Sequence, residues 1–509
     1  MVREAATIGI DIGTSGAKGV ALAADGTVRA RAGHSYPLLT PRPGWTEQEP
    51  EAWWAAALAT LRDLAAAVPG CEIVGLGLSG QMHGSVFLDA ADRPIRPALL
   101  WNDARTFAEC ALIEERLGAE RVLAVTGNRA STGMQAPKLL WLRRNEPEAA
   151  RKVAKLLLPK DFVRLRLTGA YATDVADASG TLLLDLKARR WSEEMMAALD
   201  VPRSLLPETF EGPQVTGRVT AEAAALTGLA AGTPVVAGGG DNACAAIGAG
   251  LIEEGHGVCS IGTSGTLFVH SLEPRIDPEA GLHAFCDAVP GGYHLMGVIL
   301  SAGGALSWFR ERLMAEEGER LAAAGEDPFA RLMAEAAAVP PGAEDLLFLP
   351  YLAGERSPIM DPHARGAWVG LSLAHGRGHL VRALVEGVGF AFADCLARMR
   401  ALGVEPPLVR LTGGGARGGA WAEILAAQLA TPLAPVAAAE GPALGAAILA
   451  QVGAGVHPDL AAAVRAAVPP ADAVLRAEPD EVRRYRELHA GWRRLYPALK
   501  GAGLFAGVP

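Results

Sequence analysis

A chain of 509 residues is longer than one hydrophobic core organises, because domains run to roughly 100–200 residues, so two or three units are predicted. Half of the residues are apolar, a fifth are charged and only 6% are aromatic, which excludes a disordered chain and predicts cores packed from small side chains. The formal net charge of −9 gives no global attraction to nucleic acid or an anionic membrane, so an anionic ligand needs a local site of backbone N–H groups, a few cations and a metal.

The opening MVREAATIGIDIGTSG places acidic residues and glycines where a secretory leader must be apolar, and no signal peptide is expected. Ala6–Ile10, then Asp11, Gly13 and Gly16, then Lys18–Leu22, predict a β-hairpin with a polar, glycine-rich tip. Pro50 suits the first position of an amphipathic helix running to about Val68, with Trp53, Trp54, Leu58, Leu61 and Leu64 on one face. Glu72–Leu78 reads as a buried strand that ends in Ser79-Gly80-Gln81-Met82-His83-Gly84, and helices are expected to dominate from Arg105 to Leu167. A strand at Pro234–Ala237 leads into Gly238-Gly239-Gly240-Asp241. Gly257–His270 then repeats the N-terminal pattern of strand, Gly-Thr-Ser-Gly, strand, which predicts two related lobes with a boundary near residues 245–256.

Ala288–Phe309 lacks Asp, Glu, Lys and Arg and is long enough to raise the question of a membrane helix. Pro290, Gly291, Gly292, His294, Gly303 and Gly304 argue instead for a buried strand, a glycine turn and the start of a helix. Helices alternate with strands to about residue 455, with Glu440-Gly441-Pro442 turning into an alanine-rich helix over Ala443–Ala450. A charged amphipathic helix is expected over Glu478–Leu495. The predicted units are residues 1–250, 251–455 and a helical extension, 456–509. Six scattered cysteines, with no Cys-x-x-Cys and in segments that read as core, suit a reducing cytoplasm.

Cradling a phosphate requires backbone N–H groups that approach an anion closely, which glycine permits. Gly13-Thr14-Ser15-Gly16, Gly262-Thr263-Ser264-Gly265 and Gly413-Gly414-Gly415 each follow an apolar strand, and three such turns together favour phosphate binding over ordinary tight turns. None fits the P-loop pattern, and a dinucleotide-binding fold is not expected. Asp11 and Asp241 are the carboxylates placed beside glycine turns at strand ends, as phosphoryl transfer to an alcohol needs; the plainer readings are a turn-stabilising aspartate for Asp11 and a helix N-cap for Asp241. His83 beside Met82 in a polar turn is either a ligand-facing or a structural imidazole. Trp101-Asn102-Asp103 offers an aromatic platform with polar groups, against the reading of Trp101 as core. His375 with His379, and His283 with Cys286, have loosely metal-like spacing but no further ligands nearby in sequence, so zinc is not expected.

These segments resemble the FGGY carbohydrate kinases over nearly the whole chain, within the actin/hexokinase/Hsp70 ATPase superfamily. IGIDIGTSGAKGVALAADG resembles the superfamily's first phosphate motif, GVCSIGTSGTLFV the second, LTGGGARGGAW the adenosine motif and GPALGAAILA the second connecting helix. Gly366–Gly387 is similar to the family's second signature. SGQMHG at 79–84, WNDAR at 101–105, GGGDNA at 238–243 and LPYLAGERSP at 349–358 resemble the branch that phosphorylates D-xylulose. Departures are Gln135 where a small residue is usual, Asp287 where His is expected, and Ile359-Met360 where more polar residues are common.

The resemblance implies an α/β protein with two RNase H-like domains flanking a catalytic cleft. It implies Asp241 as the base for the attacking hydroxyl, Asp11 as the organiser of Mg²⁺ through water, and Met82, His83, Trp101, Asp241 and Asn242 around the sugar. Thr14, Gly262, Thr263, Ser264, Gly303, Gly414 and Gly415 would hold ATP. D-xylulose and ATP are the implied partners, with no nucleic acid and no membrane, and a homodimer is compatible with the sequence. The rivals are a kinase of another ketose or polyol, such as ribulose or glycerol, and a non-catalytic sugar or nucleotide sensor.

Overall fold

The computed structural model describes residues 3–417, 419–436, 441–470 and 473–505. Its architecture is set by two sheets. The first is built from β1 (Glu4–Ile12), β2 (Gly16–Ala23) and β3 (Val28–Ser35), then helix α1 (Pro50–Ala67) and strand β4 (Cys71–Gly80). Strands β5 (Val215–Arg218), β6 (Pro234–Val236) and β7 (Gly239–Gly240) complete it, in the order β5-β6-β4-β1-β2-β3 with β7 also paired to β4. Helix α2 (Asp241–Gly248) leaves it. The second sheet contains β8 (Gly257–Ile261), β9 (Gly265–Ser271), β10 (His283–Cys286), β11 (Tyr293–Ile299), β12 (Val409–Gly413) and β13 (Leu433–Pro435), ordered β10-β11-β9-β8-β12-β13. In both sheets an antiparallel hairpin with a Gly-Thr-Ser-Gly tip has its first strand paired in parallel to a later one: β1 to β4, and β8 to β12.

Strand β1 is buried on both faces. Ile8, Ile10 and Ile12 point to one side, where they share a core with Trp53, Leu61 and Leu64 of α1. Pro50 occupies the start of that helix as expected, since its missing N–H costs nothing there. The other face is covered by helix α3 (Gly441–Gly453), which comes from far along the chain. Thr7 Oγ1 donates to Ala447 O at 3.0 Å, and Gln451 Nε2 donates to Ala23 O at 2.8 Å. A Cβ on Gly9 would lie 1.9 Å from Ala443 O, and one on Gly445 would lie 1.9 Å from Cys244 O of α2. Small residues at these positions let backbone meet backbone, which is what the alanine and glycine content achieves.

The charge-free run at 288–309 resolves into β11 and a helix over Gly303–Leu313, joined by Leu300-Ser301-Ala302, with the expected turn glycines Gly303 and Gly304 forming the first two helical residues. No helix among the described residues is long and apolar enough to cross a membrane. The expected helical stretch after Arg105 is interrupted by a strand at Lys155–Leu157, whose apolar Leu156 and Leu157 pair with Phe87 and Val86. The last amphipathic segment is two helices, Pro479–Trp492 and Leu495–Gly501. Glu440, expected to begin a turn, lies outside the described residues. Four cysteines are buried as expected, whereas Cys71 and Cys110 are only partly so, lying at the start of β4 and on the outer helix Phe107–Leu117.

Candidate active site

The strand registers bring the two carboxylates together. Asp11 lies opposite Ser79 of β4, and Ser79 lies opposite Gly239 of β7, one residue before Gly240 and the start of α2. Asp11 and Asp241 therefore emerge at the same sheet edge, on either side of β4. Burial, and then the negative charge of Asp241, raise the Asp11 carboxyl to about 7; Ser79 and Lys18 act the other way. Its Oδ1 is sealed from solvent with no hydrogen-bond partner. Burial raises Asp241 to about 6, against the pull of Asn242. The Asn242 backbone N–H and Nδ2 donate to Asp241 Oδ1 at 2.7 and 2.9 Å.

Asp241 is not the N-cap that the local sequence suggests. Gly240 holds the cap position in an extended conformation, and Asp241 is the first helical residue, so its carboxylate bonds only its neighbour and remains directed at the site.

His83 takes a left-handed conformation, φ 66°, which turns its ring inward. Nδ1 lies 2.7 Å from Gly180 O. A carbonyl can only accept, so Nδ1 carries the hydrogen and the neutral ring keeps a lone pair on Nε2. Burial, with smaller contributions from the cations Lys138 and Arg356, drives the imidazole down to about 3 despite the Gly180 bond. His83 is thus a hydrogen-bond acceptor at neutral pH. Met82 is buried, and its Cγ lies 2.8 Å from where a Cβ on Gly240 would sit, which puts the 82–83 turn beside Asp241 and Asn242.

Trp101 and Thr14, assigned to different ligands by resemblance, are bonded to each other. Trp101 Nε1 donates to Thr14 Oγ1 at 3.0 Å, and Thr14 Oγ1 donates to Gln81 Oε1 at 3.2 Å. Gln81 Nε2 donates to Gln48 Oε1 at 2.9 Å, and Gln48 Nε2 returns to Thr14 O at 2.7 Å. The Thr14 hydroxyl is consumed by this network, so only its backbone N–H is available to a phosphate.

On the second sheet Ile261 lies opposite Gly413, so the turns at Gly262–Ser264 and Gly414-Gly415 share one edge. Gly262, Thr263 and Gly414 are exposed, Ser264 and Gly415 half-buried, and a Cβ on Gly414 would meet nothing within 4 Å. The helix from Gly303 fastens the first turn from behind: Gly303 N–H donates to Gly262 O at 2.8 Å and Gly304 N–H to Thr263 O at 2.9 Å. A Cβ on Gly303 would lie 2.5 Å from Gly262 O, so the fit requires glycine. Gly418 of the adenosine-like motif lies outside the described residues.

Three of the departures have structural places. Gln135 Nε2 donates to Gly84 O at 3.2 Å and Leu157 O at 3.1 Å, bracing the turn that follows His83. Asp287 is buried against His270 Nδ1 at 2.6 Å, in the second sheet. Met360 is partly exposed with φ 47°. His283 Nδ1 is engaged by Asn128 Oδ1 at 2.8 Å, and among the described residues no group of three His, Cys, Asp or Glu side chains could hold a metal. Local reading missed Lys138, which donates to His83 O at 2.9 Å and Gly133 O at 2.5 Å, and Phe285 of β10, whose ring lies 5.9 Å from that of His83 across the two lobes. Lys138 stands three residues after Gln135, in a segment compared with the family pattern, which was the available signal; nothing in sequence pairs Phe285 with His83.

The chain matches the N-terminal domain of the FGGY family of carbohydrate kinases over residues 6–248 and the family's C-terminal domain over residues 257–454. It is 43% identical to a xylulose kinase of Escherichia coli over 448 residues, 88% of this chain and 90% of that one. Among solved structures it is similar to a xylulose kinase from Rhodospirillum rubrum, with TM-score 0.90, 32% identity and 98% and 99% of the two chains covered. It is also similar to a gluconate kinase from Lactobacillus acidophilus, with TM-score 0.91, 28% identity and 99% of each chain covered. Paired carboxylates at one sheet edge, glycine turns at another and both domain matches converge: the chain belongs to the FGGY family of carbohydrate kinases and is a sugar kinase.

Proposed function

We propose that the protein transfers the terminal phosphoryl group of ATP to the terminal hydroxyl of D-xylulose, giving D-xylulose 5-phosphate. The observation that carries this reading is the juxtaposition of Asp11 and Asp241, each raised by burial, with a neutral His83 that presents an acceptor nitrogen. The sugar is taken from the xylulose kinases that the chain resembles and from Met82-His83 with Asp241-Asn242.

In this reading residues 1–250 supply the sugar site and carboxylates, 251–455 the nucleotide site, and 456–509 a helical extension. Met82, His83, Trp101 and Asn242 orient the sugar, with a hydroxyl donating to His83 Nε2. Asp241, ionised above about pH 6, accepts the proton of the attacking hydroxyl. The backbone at Thr14, Gly262–Ser264, Gly303, Gly414 and Gly415 takes the phosphates and nucleoside, because exposed turn amides serve anions without a cationic side chain. The two lobes close to bring the hydroxyl in line with the phosphorus, and closure excludes water.

The residues fit Mg²⁺. Asp11 has a buried oxygen with no partner, and it faces a second carboxylate that raises it, which a cation between them and the phosphates would offset. Asp11 would hold the ion, which supplies charge neutralisation on the phosphates when bound. The six free thiols support a cytoplasmic setting.

A coupled ADP-release assay over D-xylulose, L-ribulose, hexuloses, glycerol, other polyols and gluconate tests the assignment. D-xylulose should give the highest kcat/KM; a tenfold preference for any other acceptor in the panel overturns it.

A further inference from the structure

One guanidinium crosses from the sheet that carries the nucleotide-facing turns to the residues around His83. Arg356 lies in the loop after Leu349, and its backbone is fixed to the second sheet. Ser357 N–H donates to Val298 O at 2.9 Å, and the buried Glu355 carboxylate receives the N–H groups of Leu300 and Arg356, both at 2.8 Å on Oε1. Leu300 follows β11 and leads through Ser301 into Ala302-Gly303-Gly304, whose N–H groups donate to Gly262 O and Thr263 O. The loop that bears Arg356 and the turn proposed for phosphate are therefore two ends of one hydrogen-bonded unit.

The Arg356 side chain points away from that unit. Its Nη2 lies 3.8 Å from where a Cβ on Gly133 would sit, and Gly133 O accepts from Lys138 Nζ, which also donates to His83 O. Its positive charge acts on His83, Lys138 and His283, lowering all three, so it stands among them. Among the described residues its guanidinium has no hydrogen bond and no ion pair, although the residue is half-buried. A half-buried guanidinium with five unmet donors calls for acceptor oxygens. The neighbouring His83 offers the complementary group, an acceptor nitrogen. A hydroxyl can donate to His83 Nε2 and accept from Arg356 in the same pose, and a ketose carbonyl can only accept.

We propose that Arg356 donates hydrogen bonds to sugar oxygens at the His83 end of the acceptor site, so that the bound sugar ties the nucleotide-bearing lobe to the first lobe. This rests on the sugar-kinase reading and adds a specificity residue from the opposite lobe. Sugar binding then pulls on the same unit that positions Gly262 and Thr263.

The test is steady-state kinetics and calorimetry on Arg356→Met, Arg356→Gln and Arg356→Lys. Arg356→Met should raise the KM for D-xylulose about 10–100-fold, the range for losing hydrogen bonds to a charged group, with the KM for ATP changed by less than about threefold. Turnover of dihydroxyacetone, which lacks two carbons of D-xylulose and their hydroxyls, should fall much less than turnover of D-xylulose. Arg356→Lys keeps the charge without the planar fork and should recover part of the loss. In calorimetry a non-hydrolysable ATP analogue should tighten sugar binding to the wild type more than to Arg356→Met. If Arg356→Met loses its cooperative melting transition, Arg356→Gln carries the same comparison. The inference is overturned if the KM for D-xylulose stays within about twofold of wild type, or if D-xylulose and dihydroxyacetone lose equally. Failure of the substrate reading looks different: the wild type itself would prefer another acceptor, such as gluconate, and the variants measured on that acceptor would still decide the role of Arg356.

Discussion

The tips of the two hairpins have the same four residues, Gly-Thr-Ser-Gly, and do different chemical work. Aligned on that tip, Asp11 of the first hairpin corresponds to Ser260 of the second. The first turn is bound into a side-chain network through Thr14, Trp101, Gln81 and Gln48, and it stands next to a buried carboxylate. The second leaves Thr263 exposed and is fastened through its carbonyls, by the amides of Ala302, Gly303 and Gly304. One backbone device is thus built in two ways: the first lobe adds charge and side-chain chemistry, and the second keeps bare amides, which in the proposed function serve an anion. The lesson is that the turn supplies geometry, while the residues two positions before it and across the sheet decide the role.

The comparison is broken most severely by Asp241→Asn, which should lower kcat by at least ~10², the loss expected for a positioned general base, while nucleotide binding stays nearly intact. In the wild type kcat/KM for the sugar should fall as pH drops through about 6, because the raised Asp241 must be ionised to take the proton. That acid limb should be absent from the residual activity of the variant. Activity within a few-fold of wild type would reduce Asp241 to a structural residue.

Asp11→Asn should also cost roughly 10² in turnover and change the Mg²⁺ dependence, yet it should stabilise the fold at pH 8. The sign follows from linkage: the folded state holds the Asp11 proton up to about 7 while the unfolded chain releases it near 3.8, so stability falls as pH rises between the two. The neutral asparagine lacks that slope, so a melting curve at pH 8 showing the variant no more stable than wild type would contradict a buried, raised carboxyl.

Gly303→Ala sharpens the contrast from the other side. The added Cβ must displace Gly262 O, and the KM for ATP should rise about tenfold with the KM for sugar less affected, since small misplacements of a binding backbone are costly. The smallest effects separate the two threonines. Thr14→Ala strands Trp101 Nε1 and Gln81 Oε1 and should cost about 1–3 kcal/mol of stability in chemical denaturation. Thr263→Ala, exposed and at a turn fastened through its backbone, should stay within about 0.5 kcal/mol. Equal losses would mean that the two turns are not differently built.

Much of this was legible in the chain. Both hairpins, the Pro50 helix and the strand-turn-helix at 288–309 follow from local periodicity and glycine placement, because local sequence is enough to set them. Asp241 was legible as the carboxylate beside a glycine turn, and only its plainer reading as an N-cap fails, since cap and first helical position differ only in whether Gly240 is extended. The state of His83 was not readable, because the atom that fixes its tautomer belongs to Gly180 and the ring beside it to Phe285, about 100 and 200 residues away. Arg356 lay within a recognised motif, but its reach to Gly133 depends on how the lobes meet, which no local pattern encodes.

The helix at Gly441–Gly453 has a consequence for how the molecule is made. The face of the first sheet that holds Thr7, Gly9 and Ala23 packs against that helix, so the N-terminal lobe cannot be finished when its own strands have left the ribosome. At 5–20 residues per second the wait is on the order of ten to forty seconds after residue 250, during which Val20, Leu22 and Val236 lack their partners Ala443, Ala446 and Ala447. Synthesis proceeds from one end to the other, but burial of this first sheet closes late, and a nascent chain halted before Gly441 would keep that apolar face open to chaperones, proteases and other copies of itself.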